Sequence, residues 1–376
     1  ANPYIIDPFY ITLNPAWGAD YDNFIFGDLG STQTSFGNDG AGQFIGANFK
    51  IAPNLTLGAI LTRNDFGGNF SIANIDPNGV VNTINGITGG GVIALNNNLE
   101  VMASYKQGRN KFGFGFAYAG TSNENNPAGG NSSERTASQI GFNFGYLGNV
   151  GTGLLLDIGA SIQLPSASSK PATGGETSVS QTNIGINARA FYTLSSKFKM
   201  VPSFTYATSS GSADVPNAGG GTTSSDLPST SVIIFGVGIM YQSGDFLFAG
   251  GPSFASIGIT QPSVENISPE LTNSTTVFPG WNIGAEWGML DWLYARFGYI
   301  SITGSITNES AATSSTINES SNTFYGPTGA FVGLGFKLGN LSIDGTVNSD
   351  VLRQGFNNIG GGGATFAYLS LSIFFE

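Results

Sequence analysis

The sequence predicts an all-β fold in which every second side chain of a strand meets hydrocarbon and its neighbours meet water. Three observations lead there. Charged residues make up only 10% of the 376 residues, against about 25% in an ordinary soluble domain. Gly contributes 56 residues and Phe 29, yet mean hydropathy is only +0.06. No run of about 18 apolar residues occurs, so helices that cross a membrane are excluded. Strand-length segments instead alternate bulky apolar residues with Gly, Ser, Thr and Asn, as membrane-spanning strands do.

The elements follow in order. A first strand is expected in NFIFGDLGSTQTSF, residues 23–36. Paired segments then flank short turns. FIGANFKIA and LTLGAILTR flank Pro53-Asn54, and LEVMASYK and KFGFGFAYAG flank QGRN. QIGFNFGYL and GLLLDIGASIQL flank Gly148-Asn149, and NIGINARAFYTL and KFKMVPSFTYA flank Ser195-Ser196. SVIIFGVGIMYQ and FLFAGGPSFASIGI flank Ser243-Gly244, while PGWNIGAEWGM and WLYARFGYISI flank Asp291. GAFVGLGFKL and LSIDGTV flank Gly339-Asn340, before a terminal strand. Each run has about nine to twelve residues, enough to cross a bilayer with tilt. The segment GITGGGVIAL is read as part of a loop. Sixteen strands are preferred, with fourteen as the alternative, because single-chain barrels carry even numbers. Short turns alternate with long Ser/Thr/Asn/Gly-rich connections, the pattern of periplasmic turns and extracellular loops in a transmembrane antiparallel up-and-down β-barrel.

Alternation assigns the faces. Phe112, Phe114, Phe116 and Tyr118 oppose Lys111, Gly113, Gly115 and Ala117. Ile140, Phe142, Phe144 and Tyr146 oppose Gln139, Gly141 and Asn143, and Trp281, Ile283, Ala285 and Trp287 oppose Asn282, Gly284 and Glu286. The bulky sets are assigned to lipid. Tyr118, Tyr146, Tyr192, Tyr241 and Trp287 lie near strand ends, where aromatic girdles form.

At the C-terminus, ATFAYLSLSIFFE puts Leu369, Leu371, Ile373 and Phe375 on one face and Tyr368, Ser370 and Ser372 on the other. This resembles the C-terminal assembly signal of Gram-negative outer-membrane β-barrels, although Glu376 follows the aromatic on which that family usually ends. The resemblance implies an exported protein of the outer membrane, in contact with lipid and lipopolysaccharide. The start, ANPYIIDPFY, is read as a mature N-terminus left after removal of a signal peptide.

Parity sorts the charges. Glu100, Asp157, Glu286, Asp344, Arg189 and Arg296 are candidates to line a pore, and Asp157, Arg189, Glu286 and Arg296 fall deepest in their strands. Lys50, Lys106, Lys111, Lys197, Lys199 and Lys337 lie beside short turns and are expected to form a basic ring at the periplasmic mouth. Either set serves ion selectivity or simply braces the wall.

With no His and no Cys, Ser-His and Cys-His nucleophiles are excluded, and the usual zinc and haem ligand sets are missing. The formal charge of −11 argues against nucleic acid as a partner. A non-enzyme without cofactor or resident metal is expected.

The chain divides into residues 1–21, a periplasmic or plug segment with Pro at 3, 8 and 15, and residues 22–376, the barrel. Pro is poor in a central strand. The phrase LNPAWGAD resembles the Asn-Pro-Ala element near the start of the fatty-acid-transporter family of barrels, in which an N-terminal segment acts as a hatch. That resemblance makes Phe9, Tyr10 and Trp17 hatch candidates. The leading functional expectation is a porin-like channel for small polar solutes or ions. Two others stand beside it: a plugged barrel for hydrophobic compounds, and a structural or secretion-associated barrel that binds an envelope or surface protein. Whether copies associate into a homo-oligomer is left open.

Overall fold

The computed structural model describes residues 2–29, 42–63, 65–67, 70–89, 93–265, 267–326, 328–347 and 366–375. Eighteen antiparallel strands form one sheet. On one side run β1 (Phe24–Asp28), β2 (Phe44–Ala52), β3 (Leu55–Thr62), β4 (Asn98–Gln107), β5 (Asn110–Asn125) and β6 (Ser133–Asn149). Next come β7 (Leu154–Lys170), β8 (Thr177–Thr193), β9 (Phe198–Pro216), β10 (Thr222–Asp226), β11 (Ser229–Ser243) and β12 (Phe246–Gln261). The ring is completed by β13 (Leu271–Leu290), β14 (Leu293–Thr313), β15 (Thr316–Tyr325), β16 (Gly329–Leu338), β17 (Leu341–Val347) and β18 (Phe366–Phe374). One helix, α1 (Val80–Thr88), lies in the β3–β4 connection.

The sheet closes where β1 pairs with β18, Phe24 opposite Phe374. Strand β9 pairs with β10 along its last turn and with β11 along the rest. Strand β14 likewise pairs with β15 and then β16. So β10 and β15 are arms that extend the wall, and the closed antiparallel barrel has sixteen strands. Closure joins the first and last strands of the ring, so the ring itself presents no open seam to lipid, which does not tolerate one.

Strand β1 falls in the first half of the expected segment; residues 30–36 lie outside the described residues, as does Glu376. The GITGGGVIAL stretch adds no strand. Its start belongs to α1, its residues 93–95 are irregular, and residues 90–92 are outside the described set. The loop-end strands run longer than the expected lengths: β13 has 20 residues and β14 has 21. Ser/Thr-rich stretches such as Thr177–Ser180, which composition assigns to loops, pair across strands and continue the ladder. Cross-strand pairing overrides composition there.

The faces fall as alternation assigns them. Phe112, Phe114, Tyr118, Phe144, Trp281 and Trp287 are exposed on the outer surface, whereas Gly113, Gly115, Gln139, Gly141 and Asn143 are buried inside. An outer belt of exposed apolar residues on a closed barrel is a surface built for hydrocarbon.

Candidate functional site

The inside of the barrel is filled from both ends. At the turn end, residues 2–22 enter the lumen as two short 3-10 turns, Pro8–Thr12 and Pro15–Ala19. Each begins at a capping residue followed by Pro. Asp7 Oδ1 accepts from Phe9 N at 2.8 Å, and Asn14 Oδ1 accepts from Ala16 N at 2.9 Å. The caps occupy donors that would otherwise be left without partners, and Pro presets the backbone angle. The prolines that bar this segment from the wall thus shape it into two tight turns inside the barrel. Tyr10, Ile11, Ala16 and Trp17 pack against Phe24, Phe26, Ile60, Met102 and Leu147.

A buried ion pair of the wall is central to holding this segment. Asp157 on β7 sits directly across from Arg189 on β8, and their side chains are only 6% and 5% exposed. Arg189 donates through Nε to Asp157 Oδ2 at 2.9 Å and again through Nη2. Its Nη1 donates to the carbonyls of Ile5 at 2.8 Å and Pro3 at 3.2 Å. Asp157 also accepts from Asn14 Nδ2 at 2.6 Å and from the Trp17 indole at 3.1 Å. A buried pair is tolerable only when its remaining donors and acceptors are satisfied, and here residues from the N-terminal segment do that. The guanidinium lies over the Tyr10 ring, a cation–π contact in a desolvated setting. Burial pushes the Tyr10 phenol up to about 12, with Arg189 opposing and Asp7 and Asp157 adding.

Inward glycines make the seat flat. A Cβ at Gly113 would lie 2.3 Å from the Pro15 carbonyl carbon, and one at Gly159 would lie 2.2 Å from Leu13 O. Tyr4 lies against Gly236 and Gly238, where added Cβ atoms would meet its ring. The β11–β12 ladder is interrupted between Gly236–Ser253 and Ile239–Gly250. Pro252 within the gap has no N–H to pair, and its carbonyl accepts from Tyr4 Oη at 3.0 Å.

From the loop end, the β3–β4 connection folds inward. Ile75, Val80, Val81, Ile84, Ile93 and Leu95 pack on the small wall residues Ala119, Ala137, Ala167, Val179 and Ala213. Asp76 accepts from the N–H groups of Val80 and Val81 at 2.6 and 3.0 Å and so caps α1. Gln139 holds the same segment, accepting from Asp76 N and donating to Asn74 O, both at 2.8 Å. The two inserts meet where Ser71 Oγ donates to Thr12 O at 3.0 Å.

A second charged group stands apart from this packing. Arg296 Nε donates to Glu286 Oε2 at 2.6 Å, and Nη1 donates to Asp344 Oδ1. A cavity of about 570 Å³ separates the N-terminal segment from this part of the wall, lined by Ile5, Phe9, Phe24, Phe26, Phe44, Phe331 and the three charged residues among others.

The pore-lining candidates therefore fall into three settings. Asp157 and Arg189 form the buried latch; Glu286, Arg296 and Asp344 form the solvated triad. Glu100 is completely buried beside Gly115 and Asn143. Of the basic ring, Lys50 pairs with Asp22 at 2.8 Å and Lys111 with Asp20, tying the N-terminal segment to the rim. Lys106, Lys197, Lys199 and Lys337 make no ion pair among the described residues. Of the hatch candidates, Tyr10 and Trp17 touch the latch. Phe9 faces Phe44 and Phe66, each with ring centroids 6.2 Å away. Sequence reasoning assigned no role to Asn14 or Tyr4 and missed the β3–β4 insert. The signal for the seat was present in the Phe-Gly alternation of KFGFGF, where Gly marks inward positions that another backbone approaches.

No family model and no curated protein matches the chain. Similar solved structures include the FrpB iron transporter of Neisseria meningitidis, 10% identical with a TM-score of 0.40, covering 86% of this chain and 62% of that one. The Pseudomonas putida toluene transporter TodX is 10% identical with a TM-score of 0.40, covering 100% of this chain and 95% of that one. The ferric citrate transporter FecA is 10% identical with a TM-score of 0.38, covering 86% of this chain and 58% of that one. The chain thus spans less than two thirds of FrpB and FecA. With its closed ring of sixteen antiparallel strands and its outward apolar belt, the chain has the fold of a transmembrane β-barrel.

Proposed function

We propose that this chain is a plugged outer-membrane barrel that passes small, largely hydrophobic compounds, with residues 2–22 as a hatch that is closed at rest. The observation that carries this reading is the Arg189–Asp157 latch, because its hydrogen bonds run to the N-terminal segment and not to an open lumen. The open-channel reading fits less well. Two of its four deepest candidate charges, Asp157 and Arg189, are buried against protein, and two apolar cores lie where water would have to be continuous. The cavity beside the plug supports a hydrophobic cargo. Its volume is in the range that encloses a small molecule, and aromatic side chains line much of it.

The mechanism needs no bond to be made or broken. An apolar compound gains by leaving water for an aromatic cavity, and the barrel carries it past the polar face of the membrane. The plug keeps ions and larger solutes from following.

Planar-bilayer conductance tests the reading. The intact protein should show little steady conductance, and deletion of residues 2–22 should open a lasting pore. Steady open-pore conductance of the intact protein would overturn it.

A further inference from the structure

The Glu286–Arg296–Asp344 triad occupies a position that the hatch does not explain. Arg296 on β14 reaches Glu286 on β13, its direct cross-strand neighbour, and reaches over β16 to Asp344 on β17. Gly335 makes that crossing feasible: a Cβ there would lie 2.6 Å from Asp344 Oδ1 and 3.0 Å from Arg296 Nη1. The triad lines two cavities at once. One is the 570 Å³ space against the N-terminal segment; the other, of about 490 Å³, continues toward the turn end past Tyr294, Lys337, Gly339 and Asn340. Anything that travels from one to the other meets these three side chains.

Their charge does not cancel. The charged residues lining the larger cavity are Asp7, Glu286 and Asp344 against Arg296 alone, a formal sum of −2. In the smaller cavity Lys337 brings the sum to zero. The triad is also solvated, with Arg296, Glu286 and Asp344 side chains 38%, 33% and 28% exposed. Each carboxylate gives one oxygen to Arg296, and the other oxygen accepts no hydrogen bond among the described residues. Opposite them lie the rings of Phe9, Phe24, Phe26 and Phe44. Aromatic faces and free carboxylate oxygens both attract cations, and both disfavour anions.

We propose that the triad is a charge filter on this passage, which favours small molecules with an apolar body and a cationic head group over their carboxylate counterparts. The inference rests on the plugged-barrel reading and names the kind of cargo that reading would carry.

The test is uptake by liposomes containing the full chain, with three matched probes: phenethyltrimethylammonium, 3-phenylpropanol and 3-phenylpropanoate. The cation should enter about tenfold faster than the carboxylate, with the alcohol between them. In the double variant Glu286→Gln with Asp344→Asn, the cation-to-carboxylate ratio should fall to about one. Arg296→Gln, which leaves the carboxylates unneutralised, should widen the ratio, and it supplies a second readout if the double variant does not fold. A carboxylate that enters as fast as the cation, or an order that survives the double variant, would overturn the filter while leaving the passage intact. If the alcohol itself enters no faster than into protein-free liposomes, the plugged-barrel reading falls and the filter falls with it.

Discussion

The guanidinium carbon of Arg189 lies 3.4 Å from the centroid of the Tyr10 ring. The same group grips Asp157 on its own wall and two carbonyls of the N-terminal segment. Stacking on a ring while forking toward several acceptors is a task for a planar guanidinium, and a lysine ammonium cannot reproduce it. Arg189→Lys should therefore weaken the latch although charge is kept. About tenfold more open time in single-channel recordings is expected, the equivalent of roughly 1.4 kcal/mol. An unchanged open time would mean that a point charge suffices.

The Tyr10 phenol also gives the latch a pH limit. Its folded pKa of about 12 stands above the ordinary value near 10. Between these values the folded state holds a proton that the unfolded state has released, so stability falls as pH rises. The contribution is fully present below about pH 10 and lost as pH passes about 12. In the difference between wild type and Tyr10→Phe, absorbance near 295 nm should titrate close to the upper value. A transition near pH 10 would place the ring in water.

Glycine substitutions separate the seat from the rest of the fold. Gly113→Ala and Gly159→Ala put a methyl group into plug backbone, and such overpacking costs about 1–3 kcal/mol. Both should raise conductance while the barrel still folds. Gly86→Ala, within α1 and facing open space, should stabilise by about 0.5–1 kcal/mol. Conductance and urea unfolding in vesicles read the two effects. Equal behaviour of all three variants would contradict the seat.

The outer belt makes its own prediction. Phe114 is exposed on the outer face of β5, and a lysine there should cost about 2–4 kcal/mol if the site lies near the bilayer midplane. Vesicle unfolding free energies measure it. No loss would mean that this face is not in hydrocarbon.

Much of the fold was legible because a strand's period of two is rigid. Once Phe112 and Phe114 point out, Gly113 must point in, and the same parity placed Asp157, Arg189, Glu286 and Arg296 inside. What the inner face meets was not legible, because period fixes direction and not distance. The glycines opposite Pro15 and Leu13 are read by alternation as water-facing, yet they touch backbone. The β3–β4 insert was hidden differently. Val80, Val81 and Ile84 follow helical spacing inside a Gly/Asn-rich stretch, and composition alone reads that stretch as loop. The extra length of the longest strands, β13 and β14, escaped for a related reason, since Ser and Thr suit both loops and paired extensions.

The N-terminal segment runs straight into β1, a strand of five residues whose partners are the final strand and β2. Withdrawal of that segment would therefore pull on the seam where the two ends of the ring meet, a short strand paired with the final one. Unplugging and the mechanical weakening of the ring are linked by a single covalent tether. A hatch that swings within the lumen spares that joint, whereas one that is dragged out toward the turn end loads it first.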